Sequence, residues 1–242
     1  MTGTRTKPDC NVRFNGGFEV TGTRTKIRIS YFFVIVVLSC FLLGRLFFEK
    51  EMMSNYRKPN PKEALSLRRN FDFIYELAKF YLENLSNRVL YLCTDCEEIK
   101  AEFSKNSLFH LVGIKHKQGH NQLWLDIQNK RLKSDNILIQ NFTIRKLQVM
   151  REFPNLFLGE SYLTSGFELQ VASFDKSLRT HKLILAVGLG KDDDGFFPQT
   201  AIDIRGNQSY QRTGKKILEI YCIDYSTGNR IYLKTKENKL IV

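Results

Sequence analysis

KLILAVGLGKDDDGFFPQTAIDI, residues 182–204, decides the fold. Two runs of apolar and β-branched residues, 182–189 and 197–204, flank the polar turn of Asp192, Asp193, Asp194 and Gly195, which reads as an antiparallel hairpin. The three aspartates suggest a metal cluster only superficially, because turn chemistry already explains them. Further runs of the same kind occupy 166–174, 216–224 and 230–235. The C-terminal half is therefore strand-rich.

Upstream the periodicity changes. Phe73, Ile74, Leu77, Phe80, Tyr81 and Leu85 recur at helical spacing after Pro59 and Pro61, which predicts an amphipathic helix over 62–85. Residues 89–93 and 98–103 flank Thr94 and Asp95 as a second hairpin. Over 121–157 the pattern is helical again, with Ser134 as a cap, Ile144, Leu147 and Val149 or Met150 in the apolar stripe, and Pro154 at the end. Helices first and strands last give an α+β fold, with N-terminal helices packed on an antiparallel β-sheet.

The chain has 242 residues, 43% hydrophobic and 26% charged, which suits one globular domain, 53–242, plus an N-terminal appendage, 1–52. The formal net charge of +12 favours anionic partners, nucleic acid or anionic lipid. Within the appendage, residues 29–44 are uncharged and apolar, and Leu46, Phe47 and Phe48 extend the run if Arg45 snorkels. Two readings stand. Residues 29–48 form a single membrane anchor, or the polar lead, with TGTRTK at 2–7 and again at 21–26, precedes a native start at Met52 or Met53. The second places the protein in the cytoplasm and the first on a membrane. Losing the lead's eight basic and four acidic residues leaves a net charge of +8, so the basic character belongs to the domain.

The stretch SLFHLVGIKHK, 107–117, sets His110 inside an apolar run and follows it with bases. An imidazole held near apolar residues and cations is a candidate acid or base at neutral pH. The competing reading is a buried structural histidine, with Lys115 and Lys117 as a solvated helix end. His181 has no such context. There is no phosphate-binding P-loop, Gly-rich dinucleotide loop or serine-hydrolase elbow, which argues against kinases and dehydrogenases. Cys93 and Cys96 with His116 and His120 imitate a zinc finger, but the 19 residues between the pairs exceed the common spacing. No metal and no cofactor are expected. Five cysteines without framework spacing suggest reduced thiols.

In order, the front helix, EIKAEF (98–103), FHLVGI (109–114), LILAVGLG (183–190), FFPQT (196–200) and KKILEIYCI (215–223) resemble the fourth family of phage-associated nucleases of the Barnase, EndoU, colicin and RelE-like group. The likeness spans about residues 71–234. It implies a helical front on an antiparallel sheet of four or more strands, RNA as substrate, transfer RNA included, and a toxin role in phage or mobile-element conflict, with an antitoxin or immunity protein as partner. The expected chemistry is metal-independent: the RNA 2'-hydroxyl attacks its own phosphate while one group takes its proton and another protonates the leaving oxygen. On that reading His110 is the acid or base, His116 the second proton carrier and Lys115 a fixed charge. Thr200 matches the Ser/Thr of the family's proline-containing strand motif, and Arg212 and Lys234 complete the phosphate cradle. The alternative is a catalytically silent nucleic-acid-binding or membrane-tethered accessory module.

Overall fold

The computed structural model describes residues 56–169, 172–206, 214–224 and 227–236. The apolar segment 29–48 and Arg212 lie outside the described residues. No helix among the described residues is long and apolar enough to cross a membrane.

Helix α1, Pro61–Arg69, starts at a capping box: the Asn60 side chain accepts from Glu63 N at 2.9 Å, and Glu63 Oε2 accepts from Asn60 N at 2.9 Å. Asn70 then splits the expected single helix. Its side-chain amide donates to Ser66 O at 2.8 Å and its backbone N–H to Leu67 O, competing with the helical ladder. Helix α2, Phe71–Asn84, follows.

Strands β1, Arg88–Cys93, and β2, Glu98–Phe103, form the expected first hairpin, with Cys93 opposite Glu98. Helix α3, Ser107–Val112, and β3, Ile114–His116, carry the histidine box. Helix α4 spans His120–Gln128.

The long helical pattern over 121–157 is corrected here. The β-branched run Ile137–Ile139 forms β4, which pairs antiparallel with β3, and Ser134 opens only a single 3-10 turn. Helix α5, Thr143–Val149, and the short α6, Asn155–Leu158, come after it. Pro154 caps the start of α6 rather than ending a helix.

The remaining strands are β5, Ser161–Leu169; β6, Ala172–Thr180; β7, Leu185–Asp192; β8, Gly195–Asp203; β9, Lys215–Lys216; β10, Glu219–Ile223; and β11, Arg230–Lys234. They join β1 and β2 in one nine-stranded sheet of order β11-β10-β1-β2-β8-β7-β6-β5-β9. Its pairings are antiparallel except β2 with β8, where Ala101 stands opposite Phe196. The sheet is curled. Residues 217 and 218 tie its distant parts, with Ile217 N donating to Ser161 O at 2.9 Å and Leu218 N to Cys93 O at 2.8 Å.

The β7–β8 hairpin turns at Asp192, whose Oδ1 accepts from Asp194 N and Gly195 N at 3.0 Å each. The three aspartates thus serve a turn. Helices and sheet enclose one core around Tyr81, Phe103, Phe153 and Phe157, with Tyr81 stacked on Phe153 and Phe103 edge-on to Phe157. Burying each such ring contributes about 1.5–3 kcal/mol, enough to hold the small helices of the histidine box in place.

Candidate active site

Helix α3 buries Leu108, Phe109, Leu111 and Val112 and leaves His110 half-buried between them. Gly113 closes the helix in the left-handed region, φ 78°. A Cβ there would also stand 2.9 Å from both Gln140 Oε1 and Thr143 Oγ1. That close approach permits a knot: Thr143 Oγ1 donates to Gly113 O at 2.6 Å, and Gln140 N to Thr143 Oγ1 at 2.9 Å. The end of α3 is thereby fixed to the start of α5.

One turn into α5, Lys146 reaches back over this knot. Its Nζ donates to Thr200 Oγ1 at 3.0 Å and lies 3.5 Å from Gln140 Oε1. Burial pushes the Lys146 ammonium down to about 8. Thr200 is presented by a β-bulge, since Pro198 pairs with Leu189 and Thr200 with Gly188, leaving Gln199 as the extra residue. Gly190 makes room for that residue, because a Cβ there would overlap the Gln199 side chain.

On the other side of His110 stands His120, at the start of α4, with ring centroids 5.8 Å apart and planes nearly perpendicular. Lys115 lies between Ile114 and His116 on β3, so strand alternation turns it away from their buried face. Its positive charge acts on both His110 and His120. Burial first, then the charges of His120, Lys146 and Lys115, hold the His110 imidazole below its ordinary range. His120 is lowered too, by burial and Lys115. His110 Nδ1 is buried and has no hydrogen-bond partner among the described residues.

The arrangement has the parts of an acid-base site: a neutral imidazole, a second imidazole, two lysines of which one is easily deprotonated, and a hydroxyl. His110, Lys115 and Thr200, singled out in the sequence, are brought together. His120 and Lys146 join them without having been expected as partners. His120 stood out only through its spacing from His116, and Lys146 was not singled out at all.

His116 is placed elsewhere. It is 1% exposed, accepts from Gln118 N on Nδ1 at 3.0 Å, and sets Nε2 3.4 Å from Asp126 Oδ2 without hydrogen-bond alignment. It links β3 to α4 within the core. Lys234 on β11 is also apart from His110: it is 6% exposed, its Nζ has no hydrogen-bond partner among the described residues, and the groups acting on it are Lys216 and Glu160. Burial brings its ammonium down to about 8.

The finger-like cysteines do not converge with the histidines. Cys93 donates to Glu98 Oε2 at 3.2 Å, and Cys96 contacts the Lys215 ammonium. Among the described residues no three of His, Cys, Asp and Glu gather closely enough to hold a metal ion. Cys93, Cys96 and Cys222 are free thiols.

A family model described as phage-Barnase-EndoU-ColicinE5/D-RelE like nuclease4 matches residues 73–239, a range that contains all the residues of this cluster. No curated protein and no solved structure matches the chain.

Proposed function

The chain belongs to the phage-Barnase-EndoU-ColicinE5/D-RelE like nuclease4 family, and we propose that it is an endoribonuclease that cleaves RNA through the substrate's own 2'-hydroxyl. The observation that carries this reading is the environment of His110. Burial, with the neighbouring His120 and the Lys146 and Lys115 ammonium groups, holds the imidazole neutral at physiological pH, where it is able to accept a proton.

In this mechanism His110 takes the proton from the 2'-hydroxyl, and the freed oxygen attacks the adjacent phosphorus. The bond from phosphorus to the leaving 5'-oxygen breaks, and that oxygen receives a proton from the Lys146 ammonium. The products are a 2',3'-cyclic phosphate and a 5'-hydroxyl. Lys115 offsets charge that grows on the phosphate oxygens, an effect strengthened where water is excluded. Thr200 positions Lys146 through its 3.0 Å hydrogen bond. His120 sets the field at His110, because its protonation adds a cation 5.8 Å from that ring, measured between centroids. No step requires a bound metal.

Family membership also supports a toxin or effector role in phage or mobile-element conflict, with an immunity or antitoxin protein as the neutralising partner. The test is a strand of RNA with a single 2'-deoxy substitution on the 5' side of the cleaved bond, with growth measured in parallel on expression. Loss of cleavage at that bond alone, and growth arrest relieved by His110→Gln, are the expected results. Unchanged cleavage of the deoxy strand would overturn the mechanism.

A further inference from the structure

Phe142 is 66% exposed, the most exposed of the large apolar side chains among the described residues. An isolated apolar side chain in water needs no explanation by itself, but this one stands at the start of α5 beside the cluster. Lys146 N donates to Phe142 O at 2.8 Å, so the two residues are one helical turn apart. Residues at that spacing share a helix face, with Cβ atoms about 5–6 Å apart. The Lys146 ammonium in turn bonds Thr200 and acts on His110. Arg145, three residues from Phe142 and 60% exposed on its side chain, adds a guanidinium at the same rim, tied to Asp203 at 2.7 Å.

An uncovered aromatic ring within a helical turn of a proton donor, with cations around it, suits a flat apolar ligand that carries phosphate. We infer that Phe142 is the stacking platform for an unpaired base next to the scissile phosphate. The inference rests on the ribonuclease reading and narrows its substrate class. A base inside a duplex offers no free face to this ring, so the substrate is RNA that is single-stranded or looped at the point of cleavage. Stacking on an aromatic side chain tolerates every base, because each has a π face.

The test uses the full chain carrying Phe142→Trp and Phe142→Ala in turn. Trp124, the chain's single tryptophan, is 3% exposed, so a tryptophan at 142 reports as the one facing solvent. The probe is a short single-stranded 2'-O-methyl RNA, which cannot undergo 2'-hydroxyl attack, beside the same strand with abasic sites. Saturable quenching by the first and none by the second is expected. For cleavable RNA, Phe142→Ala is expected to raise KM by about tenfold to a hundredfold, with kcat little changed.

Cleavage by the parent with an unaltered KM in Phe142→Ala would overturn the stacking role. Equal quenching by the abasic strand would also overturn it, indicating backbone contact alone. Quenching by the 2'-O-methyl strand without cleavage of RNA by the parent would support stacking and defeat the ribonuclease reading instead.

Discussion

Lys146 Nζ donates to Thr200 Oγ1 at 3.0 Å, joining two residues 54 positions apart, one on helix α5 and one on β8 in the middle of the sheet. The bond ties the helix that carries the proposed acid to the bulged strand of the FFPQT segment. It also fixes the cation whose charge helps to keep His110 neutral.

The profile of kcat/KM with pH follows from these two groups. His110 must be neutral to act as base, so the acid limb lies below its ordinary value of about 6.5. Lys146 must be protonated to act as acid, so kcat/KM falls as pH rises through about 8. Lys146→Arg keeps the charge but gives up no proton in this range, and its alkaline limb is expected to vanish along with most of the rate. Lys146→Met should cost about 10²–10⁴ in kcat. A parent profile flat through pH 8 counts against this assignment.

Stability responds to His110 with a defined sign. Its folded value is depressed, so below about 6.5 the unfolded chain binds more protons than the native one and stability falls with falling pH. Replacing it by Gln removes that contribution. Denaturant unfolding between pH 7 and 5 should show a shallower loss in His110→Gln than in the parent. Identical slopes would mean that His110 titrates normally in the folded state.

His116 and His110 should separate in mutation. Because the His116 ring is 1% exposed and packs within the core, His116→Ala is expected to cost about 2–5 kcal/mol of stability by leaving a cavity where the ring stood. The folded fraction should keep kcat within a few-fold of the parent. Should that variant unfold normally yet lose kcat as His110→Gln does, a direct role for His116 is restored.

Gly113→Ala tests the knot between α3 and α5. It combines a positive φ with a Cβ 2.9 Å from two side-chain oxygens, strain of about 1–3 kcal/mol. Activity should fall beyond the loss of folded protein, because the contact that aligns Lys146 with His110 is disturbed. Thermal unfolding measured beside kcat separates the two effects.

Much of the sheet was legible because its strands are short alternating or apolar runs bounded by Gly, Asp and Asn, as at 98–103 and 182–204. The helical stretches were harder. Asn70 ends a helix through its own side-chain bond, and Ile137–Ile139 becomes a strand only because β3 lies alongside to pair with it. His110 was visible as a polar residue in an apolar run. His120 and Lys146 were not, since they reach His110 through the packing of α3, α4 and α5, and nothing in their local pattern announces it. His116 misled for the opposite reason: closeness in sequence to His110 hides the strand alternation that turns it into the core.

The most direct measurement is incubation of the full chain with single-stranded RNA in excess EDTA, beside His110→Gln, with the product ends determined. The account predicts cleavage by the parent alone, leaving 2',3'-cyclic phosphate and 5'-hydroxyl ends. Cleavage by both proteins, or activity restored only by added metal, would contradict it.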